Sequence, residues 1–238
     1  MPMDRVVFSP PFTGLVGILY ALLALLLLPS YLAGLAEVLR NVGLNIAAAI
    51  IVAAASVLLS LLLSPFHLVV YTSRRRVYYP SVDIIYVFGL PIPVPKMAYT
   101  EQVARLAVNL GGAVIPVALS TFILFKLPTL FAAGALVSSL AVSLIVYRMS
   151  RVVPGLGVVT PGFLPPLLAL VFSLWAGRLT PAVAYIVGVY GTLLGADVYN
   201  LKKILAQMPP LASIGGAGVW DGIYLTGIVA ATLGLLLR

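Results

Sequence analysis

The sequence predicts an all-α polytopic membrane protein, about seven transmembrane helices with a small β-hairpin between helices 2 and 3. Three observations carry that reading. The chain of 238 residues is 62% hydrophobic and 8% charged, whereas a soluble domain has about 25% charged residues. Apolar runs of roughly membrane-spanning length tile nearly all of it, so residues 1–238 read as a single integral membrane domain. Lys and Arg collect between those runs, so the net charge of +8 orients the protein in a membrane instead of marking a nucleic-acid surface. There is no cysteine and one histidine, His67; neither thiolate chemistry nor a histidine-based metal centre fits, and no cofactor is expected. The N-terminal MPMDRVVFSPP lacks a basic leader and a small-residue cleavage site, so the first apolar run reads as a retained span.

The spans fall at about Phe12–Leu35, Val42–Ser64, Val103–Phe125, Pro128–Tyr147, Pro161–Trp175, Pro181–Ala206 and Ala212–Leu237. The fifth differs from the rest, because VVPGLGVVTPGFLPP sets four prolines and three glycines around a short apolar core. It reads as a broken or re-entrant segment, which must be buried in protein or line a cavity. The N-terminus and the loops after spans two, four and six hold Arg5, Arg74, Arg75, Arg76, Lys96, Arg105, Arg148, Arg151, Lys202 and Lys203. The other side holds Arg40, Lys126, Arg178 and Arg238. Ten against four predicts a multi-pass protein of the cell membrane with a cytoplasmic N-terminus and an external C-terminus.

The link after span two, RRRVYYPSVDIIYVFGLPIPVPKMAYTE, is rich in β-branched and aromatic residues, with FGLP as its turn signal. It predicts two short strands, about Val77–Phe88 and Ile92–Ala98, in a cytoplasmic or interfacial hairpin. Pro91, Pro93 and Pro95 cannot donate to a ladder, so the second arm should be an edge. Tyr78, Tyr79 and Tyr86 suit an aromatic belt at the membrane surface; the alternative is an edge that receives an extended peptide.

Only six side chains are acidic, and two of them, Asp197 and Asp221, stand in otherwise apolar, glycine-rich runs. Asp197 lies nine residues before the expected end of span six at Ala206, and Asp221 nine residues after the expected start of span seven at Ala212. At 1.5 Å per residue both carboxylates sit roughly 13–14 Å from the cytoplasmic ends of their helices. The QMPPL link is short and proline-stiffened, so the two helices should be antiparallel neighbours. Acids inside a membrane are expensive and mark function by default. Two carboxylates about 3 Å apart cannot both ionise, so one can take a proton from water while the other donates to a peptide carbonyl. That is the apparatus of an aspartic protease, with Asp197 and Asp221 as the catalytic pair.

Around the pair, Gly195 on span six and Gly215, Gly216 and Gly218 on span seven strip side chains from the backbone and leave room for a substrate. The same glycines also suit a helix-packing seam. Tyr199, Asn200 and Thr226 are placed to hold water or orient a carboxylate. Asn109, in AVNLGGAVIPV, interrupts span three, either to bond the acidic site or to satisfy backbone freed by Pro116. His67 reads as an interfacial side chain, Asp83 as the partner of Arg74–Arg76, and Glu37 and Glu101 as solvated.

NLGGAVIP, PGLGVVTPGFLPP, GADVYNL and SIGGAGVWDGIYLTG together resemble an uncharacterised family of prokaryotic membrane proteins known only as a domain of unknown function. The resemblance covers most of the chain from about residue 75 onward; it implies a shared fold and supplies no activity. More loosely, GAD at Asp197 and the glycine run before Asp221 resemble the GxGD intramembrane aspartyl proteases: presenilin, signal peptide peptidase, and the prepilin and preflagellin peptidases. That resemblance implies that Asp197 and Asp221 cut a transmembrane-helix peptide without a metal. Here the chain reads Gly216-Ala217-Gly218-Val219-Trp220-Asp221, so the acid stands two residues later than in the motif, about 200° around a regular helix. A competing expectation is a proton- or cation-coupled transporter or channel with the pair as relay, because Gly- and Pro-broken spans mark transporters. The last is a scaffold in which the pair locks two helices. The partners expected are the lipid bilayer and a membrane-embedded peptide, not nucleic acid.

Overall fold

The computed structural model describes residues 5–9, 14–87, 90–153, 157–218 and 221–237. It overturns the all-α, seven-span class. The chain is 62% helical and 24% strand, and three helices among the described residues are long and apolar enough to cross a membrane: Ile46–Leu63, Thr129–Met149 and Leu174–Ala206.

After a short strand β1 (Val6–Phe8), α1 runs from Gly14 to Asn41; the expected span start at Phe12 lies outside the described residues. The sequence RNVGLN then ends one helix and starts the next. Gly43 takes a φ of 96°, its N–H donates to Arg40 O at 3.0 Å, and Leu44 N–H donates to Leu39 O at 3.2 Å, which is a Schellman stop. Asn45 caps α2 (Ile46–Leu63), its side chain accepting from Ala48 N–H at 2.8 Å.

The largest correction concerns span three. Antiparallel strands β2 (Phe66–Val87) and β3 (Leu90–Asn109) are far longer than the small hairpin expected, in register from His67↔Asn109 to Val87↔Leu90. The expected strand end at Phe88 lies outside the described residues. The stretch read as the first half of a helix is strand because it alternates: Ala104 and Leu106 are buried while Arg105 between them is exposed. An apolar average hides that period of two. Only after a π turn at Leu110–Val114 does α3 (Ile115–Lys126) begin, with Pro116 in its first turn.

β1 pairs with the base of β2, and a three-residue strand β6 (Ala212–Ile214) pairs in parallel with the base of β3. The sheet order is β1-β2-β3-β6. β6 stands where span seven was expected to start. Helix α8 begins only at Gly222 and runs to Leu236, because Gly215 and Gly218 hold positive φ angles of 70° and 62° that no helix contains. The segment read as span five is likewise not a crossing. After α4 (Thr129–Met149) and a two-stranded turn of β4 (Arg151–Val153) and β5 (Gly157–Val159), α5 covers Leu164–Val171. Those eight residues reach about 12 Å, and a 3₁₀ turn at Leu174–Leu179, bent at Gly177, follows.

α6 (Thr180–Thr192) is the axis of the molecule. It packs against α3, α4, α5 and α8, and Tyr185 from α6 and Tyr224 from α8 are the largest fully buried side chains among the described residues. Within the long Leu174–Ala206 helix 78% of the most apolar window is buried, against 22% for α2 and 33% for α4. A helix apolar on all sides belongs in the interior. α2 and α4 turn Ile51, Leu62, Val137 and Leu144 outward instead, an exterior suited to lipid.

Candidate functional site

Small residues fix how α6 and α8 meet. A methyl added at Gly188 would stand 2.9 Å from Thr226 O, one at Gly227 2.6 Å from Val189, and one at Gly234 3.2 Å from Pro181 Cα. The partners run in opposite directions along the two helices, so the helices are antiparallel and their backbones touch. At the end of this seam Gly222 lies opposite Thr192, with 3.6 Å to its methyl. Asp221 precedes Gly222, and Asp197 follows Thr192 by five residues. The seam therefore delivers both carboxylates to one place. They lie close enough for the charge of Asp221 to act on Asp197, and both are partly exposed.

Each carboxylate sits on an irregular backbone, not at matched depth inside two regular helices as the spacing suggested. Asp221 is the N-cap of α8. Its Oδ1 accepts from Ile223 N–H at 3.0 Å and its Oδ2 from Ala217 N–H at 3.4 Å. Since Gly215 and Gly218 hold positive φ and Asp221 is an extended N-cap, the 200° displacement, which assumes a regular helix, does not apply here. Asp197 rides a second π turn, Leu193–Val198, in which Tyr199 N–H reaches back to Leu194 O at 2.9 Å. Single π turns inside helices recur at functional sites. Buried Asn200 repairs the interrupted ladder, its Nδ2 donating to Ala196 O at 2.9 Å and Gly195 O at 3.3 Å while Lys203 Nζ donates to its Oδ1 at 3.1 Å. The short helix α7 (Leu201–Ala206) follows.

The other residues singled out by sequence divide around the pair. Gly195 faces α4, where a methyl would stand 2.8 Å from Val146 Cβ. Tyr199 lies edge-on to Tyr147 at 5.8 Å and accepts from Ser143 Oγ at 3.3 Å. Gly215 and Gly218 face the first π turn: a methyl at Gly215 would stand 2.7 Å from Ala113 N, and one at Gly112 2.8 Å from Gly218 Cα. Gly216 closes a turn, its N–H donating to Ser213 O at 3.2 Å. Asn109 finishes the first π turn, its Oδ1 accepting from Gly112 N–H at 2.7 Å and its Nδ2 donating to Ser64 O at 2.5 Å. Ser60 Oγ donates to Gly111 O in the same junction.

Two residues of this junction escaped the sequence reading. His67 is not interfacial but 3% exposed. Its Nε2 lies 3.0 Å from Ser9 O, an acceptor, so Nε2 carries the hydrogen and Nδ1 accepts from Ser213 Oγ at 2.6 Å. Ser213, on β6, is thereby tied to β2 eight residues before Asp221. Its only sequence signal was a hydroxyl ahead of a glycine turn. Asp83 meets Lys96 at 3.0 Å and not the arginine cluster, while Glu101 meets Arg76 at 3.8 Å.

No curated protein and no solved structure matches the chain. A family model does match residues 61–233, which contain Ser64, His67, Asn109, both π turns and both aspartates. The chain belongs to that family, DUF1614, described as proteins of unknown function.

Proposed function

We propose that the chain is a multi-pass membrane protein in which Asp197 and Asp221 form a proton-sharing pair that hydrolyses a peptide bond of a membrane-embedded substrate. The observation that carries this reading is the convergence of the two carboxylates from a π turn and a helix cap at one end of the α6–α8 seam. Two backbone N–H donors hold Asp221 as an acceptor, which suits it to take the proton of an attacking water. Asp197 then carries the shared proton and donates it to the scissile carbonyl. Water oxygen bonds the carbonyl carbon, the C–N bond breaks, and the amide nitrogen leaves with a proton returned from the pair. The partial exposure of both acids supports access for water.

The test compares wild type with Asp197→Asn and Asp221→Asn in liposomes. Each is incubated with a panel of single-span helical peptides, and fragments are sought by mass spectrometry from about pH 4 to pH 8. Cleavage should fall by about 10³-fold or more in either variant. The π interruption between α6 and α7 favours one other reading, a proton or cation relay. Wild type that cuts no peptide but carries a flux lost in both variants would put transport in place of hydrolysis.

A further inference from the structure

The α6–α8 seam has a second end, away from the acid pair, where α1 joins it. Gly34 of α1 faces α8 there, and an added methyl would stand 3.1 Å from Thr232 Oγ1. The backbone is irregular on two sides of this end. α1 stops at Asn41 in its Schellman turn, and the 3₁₀ turn before α6 bends at Gly177, whose φ is 55°. Irregular backbone among apolar helices has to be buried or line a cavity.

Here it lines one. A hollow of about 720 Å³ is bounded by Glu37 and Asn41 of α1, Gly177 and Arg178 of the turn, Thr180 of α6 and Gly234 of α8. A second, of about 580 Å³, shares Asn41 and Arg178 with it and adds Arg40 and Phe131. The 13 residues of α6 lie between this space and the turn that carries Asp197, a separation of about 20 Å.

The polar groups on its walls are donors. Asn41 Nδ2 is buried and has no acceptor in the protein, an arrangement that costs stability until something else accepts from it. Arg40 gives an N–H to Glu37 at 2.9 Å, and a guanidinium has five to give. Arg178 approaches from the turn. Glu37 is the one acidic side chain on either hollow among the described residues, so two guanidiniums meet one carboxylate and the balance is positive. α6 starts at the same space without a side-chain cap, which adds to that sign.

Donors converging from separate elements call for an acceptor with oxygens in several directions, as a phosphate has. A bare ion is small for this hollow, since spaces of roughly 300–1,000 Å³ take organic ligands. Leu174, Leu237 and Phe131 complete the walls and suit an apolar portion. We infer that the hollow binds a phosphate ester, with the phosphate between Arg40 and Arg178 and within reach of Asn41 Nδ2. A membrane phospholipid and a soluble phosphate ester share that chemistry. The site does not depend on what the acid pair does.

The test is native mass spectrometry of the full chain in a neutral detergent, titrated with short-chain phosphatidylglycerol, with glycerol phosphate, or with diacylglycerol of the same chains. Wild type should retain the phosphatidylglycerol and not the diacylglycerol; glycerol phosphate bound as tightly would make the ligand a soluble ester. Arg178→Gln should weaken binding about 10-fold or more, with Arg178→Lys in between because it keeps the charge and loses the fork. Asn41→Leu should weaken binding about 3-fold or more while leaving the free protein as stable or more so, which an idle buried amide would not do to binding. Arg74→Gln with Arg75→Gln, on the distant hairpin, should change nothing. Diacylglycerol held as well as phosphatidylglycerol overturns the inference. So does wild-type affinity in both Arg178→Gln and Asn41→Leu, or an equal loss in the hairpin variant, which would mean diffuse attraction to a basic protein.

Discussion

Among the described residues the chain makes a π turn twice, once leading into a helix from a strand and once at the end of a helix, and the two turns are completed from opposite ends. At Leu110–Val114 the interruption comes before α3, so the groups to satisfy are N–H donors, and Asn109 Oδ1 meets one at 2.7 Å. At Leu193–Val198 it comes after α6, so the groups are carbonyls, and Asn200 Nδ2 meets two. The first turn is then clamped by backbone, with Gly111 against the end of α2 and Gly112 against Gly215 and Gly218. The second packs on α4 through Gly195 but leaves Asp197 partly exposed toward Asp221. One turn is a joint that fixes the loop leading to Asp221; the other presents a carboxylate. A π turn is thus a means, and what it is packed with decides its use.

Gly112→Ala should break the joint most severely. The added carbon would stand 2.8 Å from Gly218 Cα, and only backbone is there to yield. Overpacking of that kind costs about 3 kcal/mol or more, read as lost yield or a lowered Tm in detergent. A variant within about 1 kcal/mol of wild type would show that the junction is loose. Asn109→Ala comes next. It removes the cap on Gly112 N–H and leaves buried Ser64 O without that donor, for about 2–3 kcal/mol in the same measurement.

How far the sequence revealed this arrangement depends on which physical signal each part left. The two aspartates stood out because a carboxylate in an apolar run is costly wherever the backbone goes. The adjacency of the two chain segments followed from the short, proline-stiffened link. The local backbone was not legible. Residues 103–109 read as helix from their apolar average, although Arg105 between two buried residues already carried a period of two. SIGGAG read as a helix face, although two of its glycines need positive φ and therefore mark a loop. The pairing of His67 with Ser213 left no local signal, since their bond spans 146 positions of sequence. Pattern reading sees neighbours along the chain, and this junction is made of residues that are neighbours only after folding.

Asn200→Ala tests the other side of the comparison with a smaller effect. It frees the carbonyls of Gly195 and Ala196 and the donor of Lys203. Buried carbonyls tolerate poor satisfaction better than buried N–H groups do, so the cost should be about 1 kcal/mol. If Asn200→Ala costs as much as Asn109→Ala, the two turns are equivalent joints and the contrast between them fails.

The smallest effect on stability, and the one that separates the two turns most sharply, belongs to Asp197→Asn. A joint residue loses stability when it is changed. A residue retained for chemistry in an unfavourable setting does not, because the fold gains nothing from two carboxylates held side by side. Asparagine keeps the shape of Asp197, removes a titratable group on which the charge of Asp221 acts, and leaves both N–H bonds of the α8 cap untouched. Thermal unfolding in detergent should therefore show a stability unchanged or raised by up to about 1 kcal/mol, in a protein that has lost the proposed peptide cleavage. A loss of 1 kcal/mol or more would make Asp197 a structural member of the second turn, and both turns would then be joints.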